Sequence, residues 1–205
     1  MQLVNAFSVG ILRSNHSELL DKAKKLFDGR IKLSLSYPGN ILTSLENYNS
    51  ETKNVKTLQH IPEVLDIIDI IEKNAKSYID QTGNNSDLYD IKVVNFWINE
   101  MESNSESPEH YHYGHTLSGC YYVDVPVNAP GLKLVNPLDH IPKETMEYRI
   151  LTAYNARDMI LDVKNGDLVL WESYLKHAVQ AKEFEGTRCS IAFDVNISIK
   201  PNKIS

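Results

Sequence analysis

The stretch Thr187-Arg188-Cys189-Ser190-Ile191-Ala192-Phe193-Asp194-Val195-Asn196-Ile197-Ser198-Ile199 alternates in character for most of its length. That is the period-two signature of a strand. Working back from it, residues 167–171 (DLVLW) read as another strand, entered through the turn dipeptide Asn165-Gly166 from residues 159–163. Residues 132–135 form a short apolar run that Asn136-Pro137 stops, and residues 117–127 (LSGCYYVDVPV) end at Asn128-Ala129-Pro130-Gly131. Residues 91–101 (IKVVNFWINEM) are rich in β-branched and aromatic side chains. Short strands at turn-punctuated spacing predict an antiparallel sandwich or barrel.

The first half has a helical period. Leu19, Leu20, Ala23, Leu26 and Phe27 share one helix face, with Ser14 or Asn15 as its expected cap. A polar loop is expected over residues 35–57. Pro62 then sits in the first turn of a second helix, whose apolar face is Val64, Ile67, Ile68, Ile71, Ala75 and Ile79. The 205 residues carry a net charge of −6, are 42% hydrophobic and 23% charged, and contain two cysteines, Cys120 and Cys189. These values exclude disorder and a disulfide scaffold, and the acidic balance speaks against an overall nucleic-acid-binding surface. The start resembles no signal peptide and no run is long enough to span a bilayer, so a cytoplasmic location is expected.

Histidines carry the chemical signal. Glu109-His110-Tyr111-His112-Tyr113-Gly114-His115 places His110 and His112 on one face if the segment is a strand. Two such imidazoles make part of a metal site, and His177 is the natural third ligand; hydrogen-bonded structural histidines are the alternative. Eleven residues after His177, Arg188 enters an otherwise apolar and small-residue run. A guanidinium there requires an anion, either a bound carboxylate or an internal Asp or Glu. By alternation Ser190 lies on the same face. Tyr111, Tyr113, Tyr121 and Tyr122 read as an aromatic cluster that either shapes a substrate mouth or packs in the core. Cys120 and Cys189 read as buried free thiols.

Taken together, HYHYGHTLSGCYYVDVP, GDLVLWESYLKHAVQ, TRCSIAFDVN and the upstream NFWINEM resemble the uncharacterised iron(II)/2-oxoglutarate oxygenases of proteobacteria, cyanobacteria and their phages. The likeness covers residues 91–197. It implies an α+β, mainly β chain: a double-stranded β-helix (jelly-roll or cupin-like) barrel over residues 91–200, buttressed by helices over 1–90, the whole of 1–205 being one domain. It further implies Fe(II) held by His110, His112 and His177, and 2-oxoglutarate as cosubstrate, its distal carboxylate met by Arg188 and Ser190. Tyr122 and Asn99 would line the same pocket. The expected reaction is hydroxylation of a protein side chain, a small metabolite or a nucleobase, coupled to decarboxylation of 2-oxoglutarate to succinate. A homodimer is compatible with the sequence.

The chain departs from the usual facial triad of two histidines and one carboxylate, because His112 occupies the carboxylate position. Glu109 or Asp124 is the alternative source of a carboxylate. Two further readings stand beside the leading one: a three-histidine cupin dioxygenase that needs no 2-oxoglutarate, and a non-catalytic metal-binding jelly-roll module. Zinc hydrolysis also suits three histidines but leaves the Arg-x-Ser strand unexplained.

Overall fold

The computed structural model describes residues 8–28, 62–138, 147, 149–150, 152 and 155–201. In chain order the elements are β1 (Ile11–Asn15), a 3-10 turn (Ser17–Leu19), α1 (Leu20–Asp28), α2 (Pro62–Gln81), a second 3-10 turn (Ser86–Leu88), β2 (Tyr89–Met101), β3 (Ser107–His110), β4 (Leu117–Asp124), β5 (Leu132–Val135), β6 (Asp158–Leu161), β7 (Asp167–Glu172), β8 (His177–Val179) and β9 (Arg188–Ile199). The strands form a five-stranded sheet, β1-β7-β4-β9-β2, and a four-stranded sheet, β3-β8-β5-β6. Every pairing is antiparallel. From β2 to β5 and again from β6 to β9 the chain alternates between the sheets, and the result is the jelly-roll, double-stranded β-helix fold.

Alternation gives the large sheet two apolar faces with different partners. Outward, Leu117, Tyr121 and Val123 of β4, Leu168 and Leu170 of β7, and Ile191, Phe193 and Val195 of β9 pack on α1 and α2 through Ala23, Phe27, Val64, Ile67, Ile71 and Ala75. Each branched aliphatic side chain buried there contributes about 1.5–3 kcal/mol relative to exposure. Inward, Cys120, Tyr122, Val169 and Trp171 meet Leu132 and Leu134 of β5, from the small sheet. A register shift between Val93 and Asn95 rephases β2. Ile91 and Val93 pack toward the helices before it, and Phe96 and Ile98 after it. The bulge therefore leaves Asn95, Trp97, Asn99 and Met101 lining the interior.

Several expectations are corrected. Ser14 and Asn15 do not cap a helix: both belong to β1, which pairs with β7 at the edge of the large sheet. Asn15 instead donates to Asp167 Oδ1 at 3.0 Å, while Arg13 donates to Oδ2 at 2.6 Å. The four tyrosines do not cluster at a mouth. Tyr121 and Tyr122 point to opposite faces of the large sheet, and Tyr111 and Tyr113 are exposed. The expected loop over 35–57 lies outside the described residues. Among the described residues, no helix is long and apolar enough to cross a membrane.

Gly119 is where three central strands crowd most closely. It pairs with Phe193 on one side and Leu170 on the other. A Cβ at Gly119 would lie 2.3 Å from Phe193 Cζ and 2.6 Å from the Val169 carbonyl oxygen. The carbonyl cannot retreat without disturbing the ladder. Gly119→Ala is thus expected to destabilise the fold by about 1–3 kcal/mol or more in chemical denaturation; an unchanged midpoint would contradict this packing.

Candidate metal and cosubstrate site

The inward face of the large sheet and the small sheet enclose a cavity of about 620 Å³. Three histidines meet in it. His110 ends β3 and pairs in register with His177, the first residue of β8. His112 lies two residues past the end of β3, not on a strand as the sequence pattern suggests, and its backbone N–H donates to the Ser173 carbonyl at 3.0 Å. Gly114, at φ +85°, turns the chain just after it. One ring nitrogen from each of His110, His112 and His177 falls within 4.8 Å of the others.

Hydrogen bonding decides which nitrogen is available. His110 Nδ1 lies 2.7 Å from the Pro108 carbonyl, and His177 Nδ1 lies 3.0 Å from the Leu175 carbonyl. A carbonyl only accepts, so both Nδ1 atoms carry the proton. His112 Nδ1 donates in the same way to Asp194 Oδ1. With Nδ1 committed in this way, the neutral form of each ring turns Nε2 toward the cluster, the tautomer that ligates a metal. Burial is the main influence on His177, outweighing the Leu175 carbonyl, and it lowers the imidazole pKa to about 3. Trp171 meets this ring edge-on at 4.8 Å, and Trp97 stands 5.5 Å from the His112 ring.

Neither proposed carboxylate joins the cluster. Glu109 accepts from Lys133 Nζ at 2.8 Å, Asp124 is exposed at the end of β4, and among the described residues the metal-competent group consists of the three histidines. A carboxylate that the sequence reading passed over, Asp194, stands directly behind His112. It was legible in principle: by alternation it lies on the face of β9 that carries Arg188 and Ser190.

Arg188 is buried on the same inward face, 3% exposed, with Ser190 two residues on. Ser190 registers opposite Tyr122 of β4 and Asn99 of β2. The guanidinium carbon lies 5.0 Å from the Tyr122 ring centroid, a cation–π distance. Arg188 Nε, Tyr122 Oη and Trp171 Nε1 are buried without hydrogen-bond partners. All three residues line the cavity of the histidines. Such groups cost about 1–3 kcal/mol each while unsatisfied. Among the described residues no acidic side chain pairs with Arg188, so none of them supplies the internal ion pair weighed from sequence.

Residues 95–194 match the family model described as "Putative 2OG-Fe(II) oxygenase". The match spans just under half of the chain and, with the three histidines of the cavity, supports an iron(II)/2-oxoglutarate oxygenase. No curated protein sequence matches the chain. Among solved structures, the oxygenase is similar to the non-heme α-ketoglutarate-dependent epimerase SnoN from nogalamycin biosynthesis, with TM-score 0.61 and 12% identity over 96% of this chain and 83% of that one. It is similar also to a Pseudomonas putida prolyl-4-hydroxylase, with TM-score 0.57 and 11% identity over 92% and 93%. A third likeness is to HygX from Streptomyces hygroscopicus, solved with nickel and 2-oxoglutarate, with TM-score 0.59 and 13% identity over 92% and 83%. At these identities the likeness is one of fold.

Fe(II) and 2-oxoglutarate are the metal and cosubstrate of this enzyme class, and the cavity fits them. Three imidazoles offer nitrogen donors suited to iron, while the unpartnered Arg188 Nε and Tyr122 Oη suit an anionic dicarboxylate.

His177 gives the metal-free oxygenase a defined acid sensitivity. Unfolded, its imidazole takes up a proton near pH 6.5; folded, only near about 3. Its contribution is thus whole above pH 6.5 and is lost on the way down to about pH 3, at about 1.4 kcal/mol per pH unit. Denaturation of the metal-free protein should become easier over this range, and His177→Gln should flatten the profile by about one proton. Parallel profiles for the two proteins would refute the assignment.

Proposed function

We propose that His110, His112 and His177 are the metal ligands of an Fe(II)- and 2-oxoglutarate-dependent hydroxylase, and that Arg188 and Ser190 receive the distal carboxylate of the cosubstrate. The observation that carries this reading is Arg188, buried and without an acidic partner among the described residues, in the same cavity as three imidazoles whose Nδ1 atoms are already engaged. When bound, Fe(II) with 2-oxoglutarate and O₂ supplies oxidative decarboxylation to succinate coupled to oxidation of a substrate C–H bond.

The side chains of this oxygenase then bind, orient and exclude water. The Pro108 and Leu175 carbonyls hold two of the imidazoles in their ligating tautomer. Arg188 offers a planar fork to one carboxylate, with Tyr122 Oη a neighbouring donor and Asn99 lining the wall beside Ser190. Burial holds the Tyr122 phenol pKa well above its ordinary value, so the hydroxyl keeps its proton and can donate. Trp171 and Leu132, both buried, give the cavity an apolar wall. Trp97 and Tyr113 line the same cavity, and the exposure of Tyr113 makes that side the entrance for the primary substrate. Cys120 and Cys189 are not joined in a disulfide, which supports a reducing, cytoplasmic setting. A three-histidine cupin dioxygenase working without 2-oxoglutarate would leave Arg188 with no role.

The test is an anaerobic titration of Fe(II)-loaded protein with 2-oxoglutarate, following the visible metal-to-ligand charge-transfer band. A saturable band is expected in the parent protein and none in His177→Ala. Arg188→Ala should weaken 2-oxoglutarate about 10–100-fold, the equivalent of about 1.5–3 kcal/mol for a hydrogen bond to a charged group. Stoichiometric iron without a band would move the assignment to the three-histidine cupin or to a non-catalytic module.

A further inference from the structure

Asp194 is 2% exposed, yet no lysine or arginine among the described residues pairs with it. Its Oδ1 accepts from His112 Nδ1 and, at 2.7 Å, from Ser118 Oγ. Its Oδ2 accepts from Asn95 Nδ2 at 2.9 Å, and His115 Nε2 stands 3.6 Å away. Ser118 spends its proton on Asp194, so the 2.7 Å contact with Ser173 has Ser173 as donor. Asn95 Nδ2 also reaches His115 Nε2 at 3.1 Å. This polar knot ties β2, β4 and β9 to the loop that carries His112.

Orientation alone does not call for a carboxylate. His110 and His177 are oriented by neutral backbone carbonyls, and an asparagine could accept from His112 and Ser118 just as well. A buried carboxylate is costly; hydrogen bonds offset part of that cost, and a facing positive charge offsets more. The groups nearest Asp194 are amide, hydroxyl and imidazole, so the fold leaves that counter-charge to be supplied across the His112 ring. The three-histidine set meanwhile lacks the negative charge that a ligating carboxylate would place on the metal.

We propose that Asp194 is a positioning residue for the metal site: it fixes His112 with the proton on Nδ1 and supplies, one imidazole removed from the metal, the negative charge that the three ligands lack. The inference rests on the proposed ligand role of the three histidines. It makes His112 the most electron-rich of the three donors, because a charge-assisted hydrogen bond to a ligating imidazole raises its basicity.

The test is titration of metal-free protein with Co(II) alone, with binding and the d–d spectrum read together, for the parent, Asp194→Asn and Ser118→Ala. Asp194→Asn keeps the shape and one acceptor but removes the charge. It is expected to weaken Co(II) about 10–100-fold and to shift the spectrum. Ser118→Ala removes a hydrogen bond from the same oxygen and should leave affinity within a few-fold. Equal affinities and spectra for parent and Asp194→Asn, or equal losses in both variants, would overturn the proposal and leave the ligand assignment standing. No Co(II) binding by the parent would overturn both. Should Asp194→Asn fail to fold, ¹⁵N-imidazole spectra of the parent with Zn(II) decide: a protected Nδ1–H on a His112 bound through Nε2 is expected, and a His112 bound through Nδ1 would refute the proposal.

Discussion

The side chains that β4, β7 and β9 send outward onto α1 and α2 anchor the five-stranded sheet. Leu117, Tyr121, Leu168, Leu170, Ile191 and Phe193 are essentially inaccessible there. With that face committed to apolar packing, period two leaves the alternate residues of the same strands facing the interior. Tyr121 shows how strict the separation is. Its ring packs on the helix side and its hydroxyl donates to the His16 carbonyl at 2.8 Å, while its neighbour Tyr122 faces the cavity.

The inward face of β9 carries an ordered series: Arg188, Ser190, Ala192, Asp194. The cation and the anion are six residues apart, roughly 20 Å at the rise of a strand. On the proposed reading that span holds a guanidinium, a small dicarboxylate, a metal and the His112 ring in succession. The two buried charges are thus kept apart and each faces a ligand of opposite sign, instead of cancelling one another in an internal ion pair. The small sheet contributes little charge to the interior but brings two of the three imidazoles, through the His110–His177 pair of β3 and β8.

Much of this was legible in the sequence because it is local. Residues 91–101, 132–135 and 167–171 lie within strands of the structure, whereas the runs read over 117–127, 159–163 and 187–199 correspond to the strands Leu117–Asp124, Asp158–Leu161 and Arg188–Ile199. The apolar face of α2 follows directly from its spacing. Other elements were hidden for identifiable reasons. β3 and β8 have four and three residues, too short for a period to register. β1 reads as the run-up to a helix because Ser14 and Asn15 are good caps by residue type, and only pairing with β7 makes them strand.

What the sequence by itself determined is the chemistry in stock: a cluster of histidines, a later histidine, an arginine and a serine at strand spacing, and enough alternation to require two packed sheets. Tertiary structure alone decided how those groups are used. The bulge between Val93 and Asn95 sets which side chains of β2 face inward, a choice invisible to a strict period because one extra residue inverts it. The carbonyls of Pro108 and Leu175 and the carboxylate of Asp194 select the ring nitrogens, through contacts that for His112 span 82 residues of chain. Hydrogen-bond direction and charge separation are properties of distance in space, and residue order alone does not encode them in any period that can be read.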